Sequence, residues 1–371
     1  MINSREERLL CIGPYSSPED GTSIPTKLTI DYIQKHCVYK KIRIIDTQSS
    51  NGTWATVFLP HSFFRLTKLM WLFTKYIFFC DKIIIFGSPG FVVFASFFYI
   101  PLARLLKKNI YVRIYGGKFD FLLDSLHRLV KKGLIIFLNK TNLIILETNQ
   151  LYARLVKYFP KNLSISSNCR YTKSICSPNR PRNDTKFFYA GGICLVKGID
   201  TLIEAILAVI NENNSKIYLD LYGPISKDVE EILINGINAS GGCIQHRANY
   251  LTHNELLLKI PSYDALVVPT IYYNEGLSGI VIDSLTCGVP AIVSNFNSLH
   301  ELIISGYNGF MFKPTDINSL KNAIENFVNL SSDEKKCIQH NAIKSSAKFD
   351  AHVILPQLCK LFELKIKQEN N

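Results

Sequence analysis

The chain has 371 residues, 47% of them hydrophobic and 19% charged, which allows two domains of ordinary size and excludes a disordered tail. Its net charge of +12 is uneven. Residues 1–180 carry 26 of the 42 Lys and Arg but 10 of the 30 Asp and Glu, a balance of +16 against −4 for the remainder. A basic first half joined to a mildly acidic second half implies that only the first half meets an anionic partner. No compact basic motif or recognised nucleic-acid module accompanies that charge, so nucleic acid is not expected.

The opening MINSREERLL places charge where a secretory signal needs an apolar run, so a cytoplasmic protein is expected. Alternating strand-like and helical runs follow. Strands are predicted at 8–13, 42–47, 82–87, 109–115 and 142–148, with helices over 23–36, 63–78, 91–107 and 120–138 between them, the pattern of a covered parallel sheet. In and just after the second of those helices Phe63, Phe64, Trp71, Phe73, Phe78 and Phe79 stand near Arg65, Lys68 and Lys75. That combination suits contact with an anionic membrane surface, and a basic soluble face over a core helix explains it equally well. The apolar run 91–106 is interrupted by Pro101 and Arg104 and falls short of the roughly 20 residues of a spanning helix, so a buried or interfacial helix is predicted.

A polar stretch with prolines and arginines, 174–184, reads as a linker. The second half repeats the alternation, with strands at 186–191, 216–223, 263–269 and 290–295 and helices near 198–212, 227–237, 253–260, 276–287 and 315–330. A basic helical segment over 331–370 follows. No GxGxxG follows any of these strands, which argues against a nicotinamide or flavin enzyme. Ten cysteines, with no C-x-x-C pair and no zinc-like spacing to histidine, are expected to be reduced and mostly buried, and no metal site is expected.

The strongest local signal is VVPTIYYNEGLSGIVIDSLTCGVPAIVSNFNSLHELIISGYNGFMF, 267–312. A strand ends at Pro269, a loop delivers Glu275, and a helix is predicted to open at Gly276 and stop at Cys287–Gly288. Amides from Gly276 through Leu277 and Ser278 to Gly279 at a helix start suit a diphosphate, and the small residues among them allow close approach. Glu275 and Asp283 stand eight residues apart, about 12 Å along a helix. One acid can then reach a sugar and the other a ribose, with a diphosphate between them.

This segment resembles the E-x7-E region of retaining glycosyltransferases of the GT-B fold, family 4, the glycosyl transferases group 1. EGLSG stands for the usual start, Asp283 for the second Glu, and GVP (288–290) for the closing turn; Glu301, Gly306 and NGF (308–310) are also similar. The block FFYAGGICLVKGIDTLIEAI (187–206) is similar to the family's strand, turn and helix. There Gly191 begins the turn, Gly192 replaces the usual arginine, and Lys197 matches the lysine that neutralises the donor diphosphate. Gly223 and Pro224 match the Gly-Pro that brackets the nucleobase. In the first half the resemblance is looser. CIGPYSSPEDGTSI (11–24) is similar to the Gly-rich loop facing the donor, with Gly21 a close-approach position. RIYGGKFD (113–120) places Tyr115 where the family carries His, followed by Gly116 and Gly117, and SISSNC (164–169) resembles the strand and Asn before the linker.

The resemblance implies an α/β protein of GT-B fold, two Rossmann-like domains with parallel sheets facing an interdomain cleft. The boundaries are then 1–176 on the acceptor side, 177–345 for the nucleotide-sugar, and 346–371 as a helix packing back toward the first domain. It implies sugar transfer with retention and without a metal, in cell-surface polysaccharide synthesis such as lipopolysaccharide. The donor is a UDP- or GDP-sugar, the acceptor a glycan or lipid-linked glycan, and no cofactor is needed. Glu275 and Lys197 are the implied catalytic residues. Two other readings stay open: a non-catalytic glycan-binding scaffold, and a nucleotide-sugar epimerase.

Overall fold

A computed structural model describes residues 7–16, 20–48, 60–171, 184–212 and 216–367, without the side chains of 60–64. Most of the 174–184 linker, the 176/177 boundary, Cys176, and the side chains of Phe63 and Phe64 lie outside the described residues. The chain divides into two compact units, Met1–Cys169 with Ala351–Asn371, and Arg170–Asp350.

The first unit runs β1 (Arg8–Gly13), α1 (Ser23–His36), β2 (Lys41–Asp46), α2 (Pro60–Ile77), β3 (Lys82–Gly87), α3 (Pro89–Leu105) and β4 (Asn109–Ile114). It continues with α4 (Phe119–Ser125), α5 (Arg128–Leu138), β5 (Leu143–Leu146), α6 (Asn149–Leu155) and β6 (Leu163–Ile165). The six strands form one parallel sheet in the order β2-β1-β3-β4-β5-β6. Because side chains alternate across a strand, the sheet sorts its residues onto two faces. Leu10, Ile12, Ile83, Ile85, Ile110 and Val112 pack under α2, α3, α5 and α6. Leu9, Cys11, Ile84, Phe86 and Tyr111 pack with Ile30 and Ile33 of α1 and with Leu358, Cys359 and Phe362 from the C-terminal segment. Each such side chain contributes about 1.5–3 kcal/mol on burial.

The second unit runs β7 (Thr185–Ala190), α7 (Ile199–Glu212), β8 (Ile217–Tyr222), α8 (Glu230–Ala239), β9 (Ile244–Ala248), α9 (His253–Lys259) and β10 (Ala265–Val268). Then come α10 (Gly279–Thr286), β11 (Ala291–Ser294), β12 (Gly309–Phe312), α11 (Ile317–Val328) and α12 (Ser332–Ser346). Its parallel sheet has the order β12-β11-β10-β7-β8-β9. Phe187, Tyr189 and Val267 enter one core, and Phe188, Leu266 and Val268 the other. The final helix, α13 (Ala351–Leu361), returns to the first unit. It is held there by the buried Lys82, whose Nζ donates to Phe362 O (2.9 Å) and Glu363 O (2.8 Å) and pairs with Glu7 (2.9 Å).

Several sequence expectations are corrected. The helix expected over 120–138 is two, because Leu126 is extended and His127 caps α5 by accepting from Leu129 N. Phe73, expected to be exposed, is 2% exposed and stacks on Tyr99 at 4.1 Å, whereas Trp71, Phe78 and Phe79 are open. Among the described residues no helix is long and apolar enough to cross a membrane; the apolar run ends up in α3, half of it buried. All nine described cysteines are free thiols, and six of them are buried.

Candidate active site

In an open parallel sheet, ligands sit beyond the carboxyl ends of the strands where strand order reverses. In the second unit that point lies between β7, which leads to β8 and β9, and β10, which leads to β11 and β12. The loops leaving these two strands carry the strongest site candidates.

After β7 the chain turns through Gly191 and Gly192 and makes a 3-10 turn at Leu195–Lys197. Gly198 closes that turn at φ +71°, and a Cβ there would lie 2.2 Å from Pro269 O, so only glycine lets the turn approach the end of β10. Gly223 at the end of β8 is as tightly placed: its φ is +140°, and a Cβ would lie 1.8 Å from Gly191 O. Gly191 N donates to Tyr222 O (2.9 Å) and Ile193 N to Pro224 O (2.9 Å), so the Gly191–Gly192 and Gly223–Pro224 corners form one rim. Gly192 itself faces open space.

Lys197 and Glu275, 78 residues apart in sequence, meet here: Lys197 Nζ pairs with Glu275 Oε2, both side chains partly exposed. Lys197 also lies over the Tyr272 ring at 4.8 Å. The loop carrying Glu275 is anchored at several points. Ile271 N donates to Val196 O (3.1 Å), Ser294 Oγ to Thr270 O (2.6 Å), Asn297 Nδ2 to Tyr273 O (3.0 Å) and Ser298 Oγ to Gly276 O (3.1 Å). Beneath it, burial drives the Tyr189 hydroxyl well above its ordinary pKa, and the Glu275 carboxylate adds to that rise.

The start of the following helix differs from expectation. Glu275 N closes a turn on Tyr272 O and Ser298 holds Gly276 O, so α10 begins only at Gly279, with Ser278 as its N-cap. Gly276 and Leu277 therefore do not supply helix-start amides; Leu277 instead packs into the core. The first-turn donors without an intrahelical partner are those of Gly279, Ile280 and Val281.

Asp283 was expected to face a ribose. It lies one turn into α10, 3% exposed, and its Oδ1 accepts from Arg170 Nε (2.9 Å) and His253 Nε2 (3.1 Å). Burial raises its pKa, but Arg170 and His253 outweigh that and hold it below the ordinary carboxylate value.

In the first unit the candidates gather at the carboxyl ends of β1, β4 and β5. Gly21 borders open space just before α1. Gly116, at φ +87°, donates its N–H to Glu147 Oε2 (2.9 Å), and Gly117 follows, partly exposed. Tyr115 does not face outward: it is 1% exposed, Thr26 Oγ1 donates to its hydroxyl (3.0 Å), and burial pushes that hydroxyl up to about 12. Among the described residues no three His, Cys, Asp or Glu side chains are grouped to hold a metal.

Sequence reasoning missed Arg170, His253, Asn297, Ser298 and Glu147. Arg170, His253 and Glu147 belong to no motif, and Asn297 and Ser298 lie inside the 267–312 segment without a pattern that marks them; Asn297 has a φ of +47°, a conformation that asparagine tolerates better than most residues.

Two doubly wound parallel units joined in this way define the GT-B class of fold. The structure aligns with sucrose-phosphate synthase from Thermosynechococcus elongatus at a TM-score of 0.76, with 16% identity over 96% of this chain and 98% of that one. It aligns with Anabaena HepE in complex with UDP at 0.71, with 14% identity over 96% and 99%. In sequence, residues 172–344 match the family model of glycosyl transferases group 1. An uncharacterized glycosyltransferase of Methanocaldococcus jannaschii is 27% identical over 185 residues, a match spanning 47% of this chain and 47% of that relative, less than half of its length.

Proposed function

We propose that the protein transfers a sugar from a UDP- or GDP-sugar to a glycan or lipid-linked glycan, with retention and without a divalent metal, in cell-surface polysaccharide synthesis such as lipopolysaccharide. The observation that carries this reading is the meeting of Lys197 and Glu275 at the strand-order reversal, beside the first turn of α10. The leaving nucleoside diphosphate gains negative charge as the glycosidic bond breaks. The Lys197 ammonium and the Gly279–Val281 amides are fixed in advance where that charge develops, which is the condition for electrostatic catalysis. As Lys197 turns to the phosphate, Glu275 is released to accept from a sugar hydroxyl. The backbone at Gly223 and Pro224 lies on the same rim, suited to a base. HepE, of the same fold, is a UDP complex, which supports a nucleotide ligand for this chain.

Contact with an anionic membrane surface is part of the proposal, for the cytoplasmic face. In the first unit Trp71, Phe78 and Phe79 are 55–60% exposed, Lys75 Nζ lies 4.9 Å from the Trp71 ring centroid, and Arg43 lies over Phe79. On α5, Leu129, Val130 and Ile136 are also exposed, on the same helix as Arg128 and Lys132.

The test is thermal unfolding with a panel of UDP-, GDP- and dTDP-sugars, followed by assay of nucleotide release from the stabilising one. Ligand at about 100 times Kd stabilises by about 2.7 kcal/mol. Stabilisation by one nucleotide class, lost in Lys197→Ala, supports the proposal; no stabilisation by any of them refutes it. A second reading, a chain that binds without transferring, is favoured by the open Gly192 corner and the occupied Asp283 carboxylate. It predicts stabilisation with no nucleotide release for any acceptor.

A further inference from the structure

We infer that Arg170 is the charge-balancing residue of the diphosphate subsite at the start of α10, and that Asp283 is committed to Arg170 and His253 rather than to a ribose. This rests on the donor reading above. A carboxylate at Asp283 lies four residues, about 6 Å of helix rise, from the orphan amide of Gly279. Left alone it would oppose any anion drawn to that helix start. At about 7 Å and an effective dielectric near 20, one unit charge against another amounts to tens of fold in affinity.

Arg170 is placed to cancel that charge. Its Nε donates to Asp283 Oδ1, and its Nη2 lies against the helix start, so close that a Cβ at Gly279 would fall 2.1 Å from it. The guanidinium thus spans the carboxylate and the first residue of the helix, with positive charge on the side an anion approaches. Its backbone is fixed as well, because Arg170 N donates to Phe349 O (2.9 Å) and the residue bridges to Asp350. His253, at the start of α9, closes the other side of Oδ1 at 3.1 Å. With Oδ1 shared between two donors and the residue 3% exposed, little of Asp283 is left open to a sugar hydroxyl. Arg170 and Asp283 are positioning residues, acting on the donor through the helix start.

The experiment measures affinity for UDP and GDP, and for uridine and guanosine, in wild type, Arg170→Gln, Asp283→Asn and the double variant, with circular dichroism as the check on folding. Arg170→Gln should weaken the favoured diphosphate roughly 10- to 100-fold and leave its nucleoside unchanged, because only the charge balance is lost. Adding Asp283→Asn should restore diphosphate affinity to within a few-fold of wild type, and Asp283→Asn alone should leave the nucleoside unaffected. Parallel loss of nucleoside and diphosphate in Asp283→Asn would return Asp283 to the ribose and overturn the inference. So would a double variant as weak as Arg170→Gln, or an Arg170→Gln variant that binds like wild type. A wild type that binds neither diphosphate overturns the donor reading itself and this inference with it. Should Arg170→Gln fail to fold, Asp283→Asn carries the test through the same nucleoside comparison.

Discussion

Replacing Gly198 by alanine tests whether the turn after β7 is held against β10 for function. Alanine must adopt φ +71°, a left-handed conformation costing about 1–2 kcal/mol. Its Cβ would begin 2.2 Å from Pro269 O, so the turn must retreat by about 1 Å, and overpacking of this kind costs about 1–3 kcal/mol. Together about 3 kcal/mol is lost, which for a unit of this size lowers its melting temperature by roughly 6–12 °C. The retreat carries Lys197 with it, and a misplacement near 1 Å can cost on the order of 100-fold in turnover. Calorimetry, with nucleotide release measured well below the melting temperature, reads both effects. Gly192→Ala is the control for melting, since a Cβ there meets nothing within 4 Å, and it should melt like wild type. If Gly198→Ala melts within 2 °C of wild type and keeps its turnover, the tight approach has no bearing on the site.

Lys82→Met removes the buried cation that binds Phe362 O, Glu363 O and Glu7, and should destabilise the first unit by about 3 kcal/mol and speed proteolysis of α13, read by limited digestion. Asp283 has a folded pKa below its unfolded value, so its contribution is complete above roughly pH 4 and is lost as pH falls through the folded pKa. Asp283→Asn should accordingly flatten the loss of second-unit stability as pH falls below about 4, seen in acid unfolding curves; an unchanged slope would contradict the ion pair. Asn297→Ala frees the Tyr272–Tyr273 carbonyls and places alanine at φ +47°, and should lower turnover about 10-fold with little change in melting of the first unit.

The parallel α/β class was legible because the buried strands are short, continuous apolar runs between amphipathic helices; β3, KIIIFG, is buried at every position. β9, IQHRA, was not, because it sits at the sheet edge with only Ile244 buried and carries no apolar pattern. β12, GFMF, was read as motif rather than strand, because its four residues open on a glycine, which the sheet needs there since a Cβ would lie 2.0 Å from Ala291 O. Lys197 and Glu275 were visible through motif context, and the topology explains why residues 78 apart touch. The start of α10 was placed three residues early because Gly276 and Gly279 are equally plausible openings in sequence, and only Ser298, from a later turn, decides between them. Asp283 and its two partners come from three separate stretches of chain, a proximity that no local pattern encodes.

The first unit is discontinuous in sequence, and α13 completes one face of its sheet. During synthesis that face, with Leu9, Ile84, Phe86 and Tyr111, is covered by α1 alone until α13 emerges after the whole second unit. At ribosomal speeds of roughly 5–20 residues per second the delay across about 180 residues is on the order of 10–40 s. The second unit, continuous from Arg170 to Asp350, can therefore finish folding before the first, reversing the order of the chain. In that interval the nascent protein presents an apolar sheet face to chaperones and to other nascent chains.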